Sequence, residues 1–239
     1  MASAVRSPRT FVLVHGAWHG GWCWRRVADR LRREGHQVFT PTLTGVGERA
    51  HLIGCDISLA THIADVVNVI TSEDLADVVL CGHSYGGFVI SGVAEEAEAR
   101  IAALVFLDAF VPQNGEPMVD IASPATRDAI AATVARGERT IAPISAAFFR
   151  VNEADCAWVD DRCTPHPVAT TTEKIVLTGA RERIAKKAHV RASGYPSGPF
   201  DATARLKAQG GWQVHELACG HDAMVDMPEA VAEILVAMT

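Results

Sequence analysis

Between Val78 and Gly87 the chain reads Val78-Val79-Leu80-Cys81-Gly82-His83-Ser84-Tyr85-Gly86-Gly87, and no other decapeptide in it restricts the fold as much. The β-branched and aliphatic run is a strand signal. It ends in G-x-S-x-G and is followed at once by a helix-compatible stretch, Phe88 to Arg100. Strand, sharp turn and helix in that order hold a serine on strained backbone with its Oγ exposed. Small residues are required at Gly82 and Gly86, where a side chain would collide with neighbouring backbone.

The rest of the chain supplies a setting for such a turn. Short apolar runs at Thr10–Val14, Gln37–Thr40, Asp77–Cys81, Ala102–Phe106, Lys174–Thr178 and Gln213–Leu217 read as six strands. Helical patterns lie between them: Trp22–Arg33 stopped by Gly35, and Ser58–Ile70 with Leu59, Ile63, Val66, Val67 and Ile70 at helical spacing. Strands alternating with helices predict a mostly parallel sheet, and unbroken apolar runs suit strands covered on both faces. From Pro112 to Val168 the rhythm breaks into helical patterns and prolines without a clear strand. The expected organisation is a core of residues 1–111 and 168–239 with a helical cap inserted at 112–167.

Composition narrows the function classes. At 239 residues with 49% hydrophobic and 21% charged side chains, the chain can bury a full core. A formal charge of -6, from 28 acidic against 22 basic residues, offers no broad basic surface for phosphate backbones or anionic lipid. No nucleic-acid or membrane partner is therefore expected. The first nine residues hold no apolar run of the kind a secretory leader needs, so a cytoplasmic location is expected. Six cysteines, at 23, 55, 81, 156, 163 and 219, form no C-x-x-C pair, so neither a metal nor a redox motif is supported. Reduced thiols are expected, with Cys156 and Cys163 close enough in sequence to leave a bridge open.

Acyl chemistry at Ser84 needs a base for the hydroxyl proton and a carboxylate to fix the tautomer of that base. His221, in Cys219-Gly220-His221-Asp222 just after the final strand, holds the place where the histidine of such folds comes. His83, though beside the serine, is expected to pack in the turn. The oxyanion needs N–H donors. His15-Gly16-Ala17-Trp18-His19-Gly20-Gly21 follows the first strand, and the hole is assigned to the amides of Ala17 and Tyr85. Trp18, His19 and Trp22, with Met118, Ile144, Phe148, Phe149 and Trp158 from the insertion, are candidates for an apolar pocket.

These segments resemble the α/β-hydrolase superfamily, in particular the group of plant salicylate methyl esterases and hydroxynitrile lyases. The resemblance lies in Phe11–Trp22, the turn around Ser84, and Val105–Pro112. Pro41–Arg49 and Cys219–Asp222 are similar to bacterial esterases that include carbendazim (methyl carbamate) hydrolases. The resemblance implies the α/β-hydrolase fold, no cofactor, and a helical cap over the site. In the plant enzymes the acid follows the strand equivalent to Lys174–Thr178, where this chain has Arg181 and no aspartate. Asp108, at the end of the preceding strand, is the first candidate acid; Glu182 is the alternative and Asp222 the weakest.

The expected activity is hydrolysis of small hydrophobic or aromatic esters or carbamates by a monomer or homodimer. A serine nucleophile argues against dehalogenase and epoxide hydrolase chemistry, which needs a carboxylate. Asp222 stands where the lyases carry lysine, which argues against cyanohydrin cleavage. A receptor-like binding protein with weak turnover, or a lactonase or thioesterase, is the alternative.

Overall fold

The computed structural model describes residues 7–54, 56–196 and 198–239; the leader reading thus falls mostly on residues outside that range, as does Cys55. In chain order the main elements are β1 (Thr10–Val14), α1 (Arg25–Arg33), β2 (Gln37–Phe39), α2 (Leu59–Ser72), β3 (Val78–His83), α3 (Gly86–Ala97) and β4 (Ile101–Leu107). Then come α4 (Met118–Ile121), α5 (Pro124–Ala135), β5 (Thr140–Ile141), α6 (Glu153–Asp160), β6 (His166–Pro167), α7 (Ala169–Thr172) and α8 (Ala180–Arg183). The chain closes with β7 (Lys186–Ala192), α9 (Thr203–Gln209), β8 (Gln213–Leu217), α10 (Ala223–Asp226) and α11 (Pro228–Ala237).

Six strands pair in parallel in the order β2-β1-β3-β4-β7-β8. Because successive side chains of a strand point to opposite faces, the two faces build separate cores. Val12, Val14, Leu80, Leu104 and Phe106 meet α2 and α3 on one side, whereas Phe11, Leu13, Val79, Cys81 and Val105 meet α1 and α11 on the other. Both faces are covered, which is why these strands read as continuous apolar runs. The α2 helix buries Leu59, Ile63, Val66 and Ile70 as its spacing predicts, and Ser58 caps it by accepting from the Thr61 amide.

One expected strand is misplaced. Lys174–Thr178 is irregular chain with Val176 exposed, and the strand beside β4 is Lys186–Ala192 instead. The apolar run resembled a buried strand; the true one, Lys-Lys-Ala-His-Val-Arg-Ala, resembled a polar segment. Tertiary partners make it viable, because the Lys187 ammonium reaches the carbonyls of Glu182 and Ile184 and Arg191 reaches Asp108. The inserted stretch also holds one small antiparallel ribbon, Thr140↔Pro167 and Ile141↔His166, where no strand was expected.

Candidate active site

Ser84 follows β3 directly with φ +54°, a conformation that costs a side-chain-bearing residue energy and persists only where its surroundings enforce it. They do so at close range. A Cβ at Gly82 would lie 2.5 Å from the Gly86 carbonyl oxygen, and one at Gly86 would lie 2.9 Å from the carbonyl oxygens of Val14 and His15. The Ser84 amide donates to the Leu107 carbonyl, and the Ser84 carbonyl accepts from the amides of Gly87 and Phe110. Backbone on three sides thus fixes the turn.

β4 ends beside it, and the next residue, Asp108, also has positive φ, +40°. Its side chain is fully buried, and His221 Nδ1 donates to its Oδ2 at 2.6 Å. The other oxygen accepts from the Ala192 amide at 3.0 Å and from the Arg191 guanidinium. With its Nδ1 proton given to Asp108, neutral His221 keeps its lone pair on Nε2. Of the three candidate acids, Asp108 is the one that reaches this ring. Glu182 is half-exposed in α8 and accepts from Arg181 at 2.8 Å. Arg181 itself spans from Glu182 to the Pro112 carbonyl.

Arg191 escaped the sequence reading, because its strand was placed elsewhere. The pairing Leu107↔Val190 sets Arg191 alongside Asp108, and no local pattern in the sequence announces that neighbour. The partners of Asp222, the weakest candidate acid, are equally unexpected. This aspartate is fully buried, accepts from His19 Nε2 at 3.0 Å and lies 3.7 Å from His83 Nε2. Burial disfavours its charge, but the charge of His19 and the hydrogen bond from it outweigh that and hold its pKa well below the usual carboxylate range. His83 packs in the turn as expected, donating from Nε2 to the His221 carbonyl at 3.0 Å. It therefore fixes the backbone of the residue whose ring Asp108 orients.

A cavity of about 360 Å³ opens at Ser84. Its lining includes Ala17, Trp18, Tyr85, Phe110, Met118, Ile130, Ile144, Phe148, Phe149, His166, Tyr195 and Phe200. Five of the pocket candidates, Trp18, Met118, Ile144, Phe148 and Phe149, line it. His19, Trp22 and Trp158 do not: Trp22 stacks on His19, and Trp158 packs edge-on against Trp22 beneath Arg26 and Arg162. Their rings suggested a pocket, but the turn after β1 directs Trp22 toward Trp158 of α6 and His19 toward Asp222. Phe149, Tyr195 and Phe200 in turn pack on the His221 ring, with Phe200 stacked at 4.4 Å. The imidazole thus lies against the wall of the cavity that Ser84 enters. The amides of Ala17 and Tyr85 belong to residues of that same wall, and among the described residues neither donates to a protein acceptor.

Three side chains with metal-ligand spacing come together among the described residues, His83, His221 and Asp222, with one ligand atom of each within 4.8 Å of the others. One nitrogen of each histidine is already engaged, His83 Nε2 by the His221 carbonyl and His221 Nδ1 by Asp108. Cys23, Cys81, Cys156, Cys163 and Cys219 are free thiols. None of the helices among the described residues is long and apolar enough to cross a membrane.

Comparison with known proteins agrees with this fold. The sequence model of the alpha/beta hydrolase family matches residues 11–234. The chain is 44% identical over 238 residues to the carbendazim hydrolyzing esterase of Nocardioides sp. (strain SG-4G), covering 95% of this chain and 98% of that protein. It is 36% identical over 114 residues to methylesterase 1 of Arabidopsis thaliana, 47% of this chain and 43% of that one. Among solved structures it superposes with TM-score 0.83 and 29% identity, over 97% of this chain and 99% of the other, on an extracellular alpha/beta-hydrolase from a Paenibacillus species. That enzyme is described as sharing structural and functional homology with tobacco salicylic acid binding protein 2.

Proposed function

The chain belongs to the alpha/beta hydrolase family, and from that premise we propose that it is a serine hydrolase cleaving small hydrophobic or aromatic carboxylic esters and carbamates. The observation that carries the reading is the buried His221–Asp108 hydrogen bond of 2.6 Å, which leaves Nε2 as a base at the wall of the cavity holding Ser84.

Ser84 Oγ attacks the substrate carbonyl carbon while its proton passes to His221 Nε2. Asp108 holds the ring and stabilises the imidazolium, and Arg191 and the Ala192 amide hold Asp108. The carbonyl oxygen takes up the negative charge between the amides of Ala17 and Tyr85, whose N–H groups are committed to no other acceptor among the described residues. Collapse of this adduct breaks the bond to the alkoxy group, which leaves with the proton from Nε2. Water then repeats the sequence on the acyl-serine, its proton going to Nε2 and returning to Ser84 as the acid departs.

Substrate size follows from the walls. A volume of about 360 Å³ is at the small end of ligand sites, and its aromatic lining favours flat apolar groups. The name of the Nocardioides relative adds carbamates to the class. A carbamate carbonyl is less electrophilic than an ester, so plain esters should be turned over as well. The test measures hydrolysis of p-nitrophenyl acetate, butyrate and octanoate and of a methyl carbamate by wild type and Ser84→Ala, with intact mass after a fluorophosphonate probe. The expected result is labelling at Ser84, turnover favouring the shorter chains, and a loss of roughly 10⁴-fold or more in the variant. Absence of both labelling and serine-dependent turnover overturns the proposal in favour of a ligand-binding protein.

A further inference from the structure

The segment Pro41–Arg49 takes no part in the reaction above, yet each residue that carries an oxyanion donor is tied to it through a buried histidine. His15, fully buried directly after β1, receives the Leu43 amide on Nε2 at 3.0 Å. A backbone amide only donates, so Nε2 bears the lone pair. Burial pulls the His15 pKa down to about 3 and keeps the ring neutral. The single ring proton therefore lies on Nδ1, which donates to the Gly16 carbonyl at 2.7 Å. On the same segment the Thr44 carbonyl accepts from His62 Nε2 at 2.9 Å. Burial pulls the His62 pKa down to about 4, so that ring is also neutral and its Nδ1 accepts from the Tyr85 hydroxyl at 3.0 Å.

What the His15 bond fixes follows from covalent geometry. The Gly16 carbonyl and the Ala17 N–H belong to one planar trans peptide, in which they point in opposite directions. With the carbonyl held on the His15 ring, the N–H is turned away from that ring, on a residue that lines the cavity. The same peptide abuts the nucleophile: a Cβ at Gly16 would lie 2.8 Å from Ser84 Cβ and 3.0 Å from His83 Nδ1. The support is itself held. Thr44 donates from its amide and its hydroxyl to the two oxygens of Asp65 on α2, at 2.7 and 2.9 Å. Arg49 then bridges Asp65 to the Thr42 carbonyl.

We infer that His15 is a positioning residue for the oxyanion: its Nδ1–H holds the Gly16–Ala17 peptide with the Ala17 amide facing the developing charge, and the Leu43–Thr44 segment, clamped by Asp65, holds His15. A donor fixed before the reaction stabilises the transition state without reorganising, and one such donor is worth about 10²–10³-fold in kcat. A loosened peptide forfeits part of that factor. The inference rests on the ester-hydrolase reading and its assignment of the Ala17 amide, and the test keeps their failures apart.

The test compares p-nitrophenyl acetate with its thiono analogue, in which sulfur replaces the carbonyl oxygen, in wild type, His15→Asn, His15→Gln and Asp65→Ala. Sulfur accepts hydrogen bonds weakly, so the oxo-to-thiono ratio of kcat/KM, divided by the same ratio for alkaline hydrolysis, reports on the oxyanion donors. The ratio is internal to each variant, so a general loss of activity or of folded protein does not move it. Asn keeps an N–H where Nδ1 was and drops the Leu43 bond; Gln keeps an acceptor for Leu43 where Nε2 was and drops the Gly16 bond. Loss of the support alone, in His15→Asn or Asp65→Ala, is expected to lower the wild-type ratio about 3-fold, and loss of the Gly16 bond in His15→Gln roughly 10-fold. A role confined to packing or to satisfying Leu43 predicts no fall in His15→Gln. A His15→Gln ratio within about 2-fold of wild type, or a larger fall in Asn than in Gln, overturns the inference and leaves the esterase reading standing. If His15→Gln fails to fold, an unchanged ratio in Asp65→Ala overturns it instead. A wild-type ratio no higher than that of alkaline hydrolysis overturns the oxyanion assignment and the inference with it, whereas absence of Ser84-dependent turnover of the oxygen ester overturns the esterase reading and all that rests on it.

Discussion

At the scale of single residues, one carboxylate does two tasks. Asp108 orients His221 through one oxygen and neutralises the buried Arg191 guanidinium through the other. Asp108→Asn is therefore expected to act twice. Turnover falls by roughly 10⁴-fold because the wrong imidazole tautomer is favoured. Stability also falls, by about 3 kcal/mol, because the Arg191 charge is left without its counter-ion in a dry site. Steady-state kinetics and urea midpoints on Asp108→Asn and Glu182→Gln check both effects. Near-wild-type turnover in the first, or a comparable loss in the second, would reverse the assignment of the acid. The identity of Ser84 and His221 was legible because each sits at a strand end with a recognisable local sequence. Their partners were less so, because Asp108, Arg191 and Asp222 owe their roles to residues up to 203 positions away.

At the scale of elements, the turn between β3 and α3 is over-determined by backbone contact. Gly82→Ala places a methyl group 2.5 Å from the Gly86 carbonyl oxygen, so something must shift. The cost expected for such overpacking is about 1–3 kcal/mol, read as a fall in Tm of roughly 3–10 °C. Activity should fall further than stability, since the displaced atoms carry Ser84; a fully active, equally stable variant would show that the turn tolerates relaxation. The β7 strand teaches the opposite lesson. Hydropathy favoured Lys174–Thr178 because β-branched apolar runs suit a buried sheet, yet the sheet takes Lys186–Ala192. The charged residues of that strand are tolerated because particular carbonyls and one carboxylate receive them, information that no local window contains.

At the scale of the whole molecule, several buried histidines tie folding to pH. Burial pulls the pKa of His15 down to about 3 and those of His62 and His189 down to about 4, and holds His83 and His166 well below the ordinary range. In the unfolded chain each titrates near ~6.5. Above that pH neither state binds the proton; below it the unfolded chain takes protons that the folded one refuses, so stability is lost as pH falls from ~6.5 toward the folded values. His19 works the other way: burial lowers its pKa, but the charge of Asp222 and its hydrogen bond more than offset this. His19 thus contributes stability at low pH that fades as pH rises through its raised value. With five groups against one, the urea midpoint is expected to drop by the equivalent of several kcal/mol between about pH 7.5 and pH 5. A midpoint that is flat over this range would mean that these rings are solvated or already charged in the folded protein. What the sequence by itself determined was the alternation of strands and helices, the strained turn at Ser84 and the histidine after the last strand, since propensity, hydrophobic period and glycine sterics act within a few residues. The tertiary structure alone decided which carboxylate meets His221 and which aromatic rings line the cavity. Those properties depend on register between strands and on hydrogen-bond partners distant in sequence, and they exist only once the chain is closed around them.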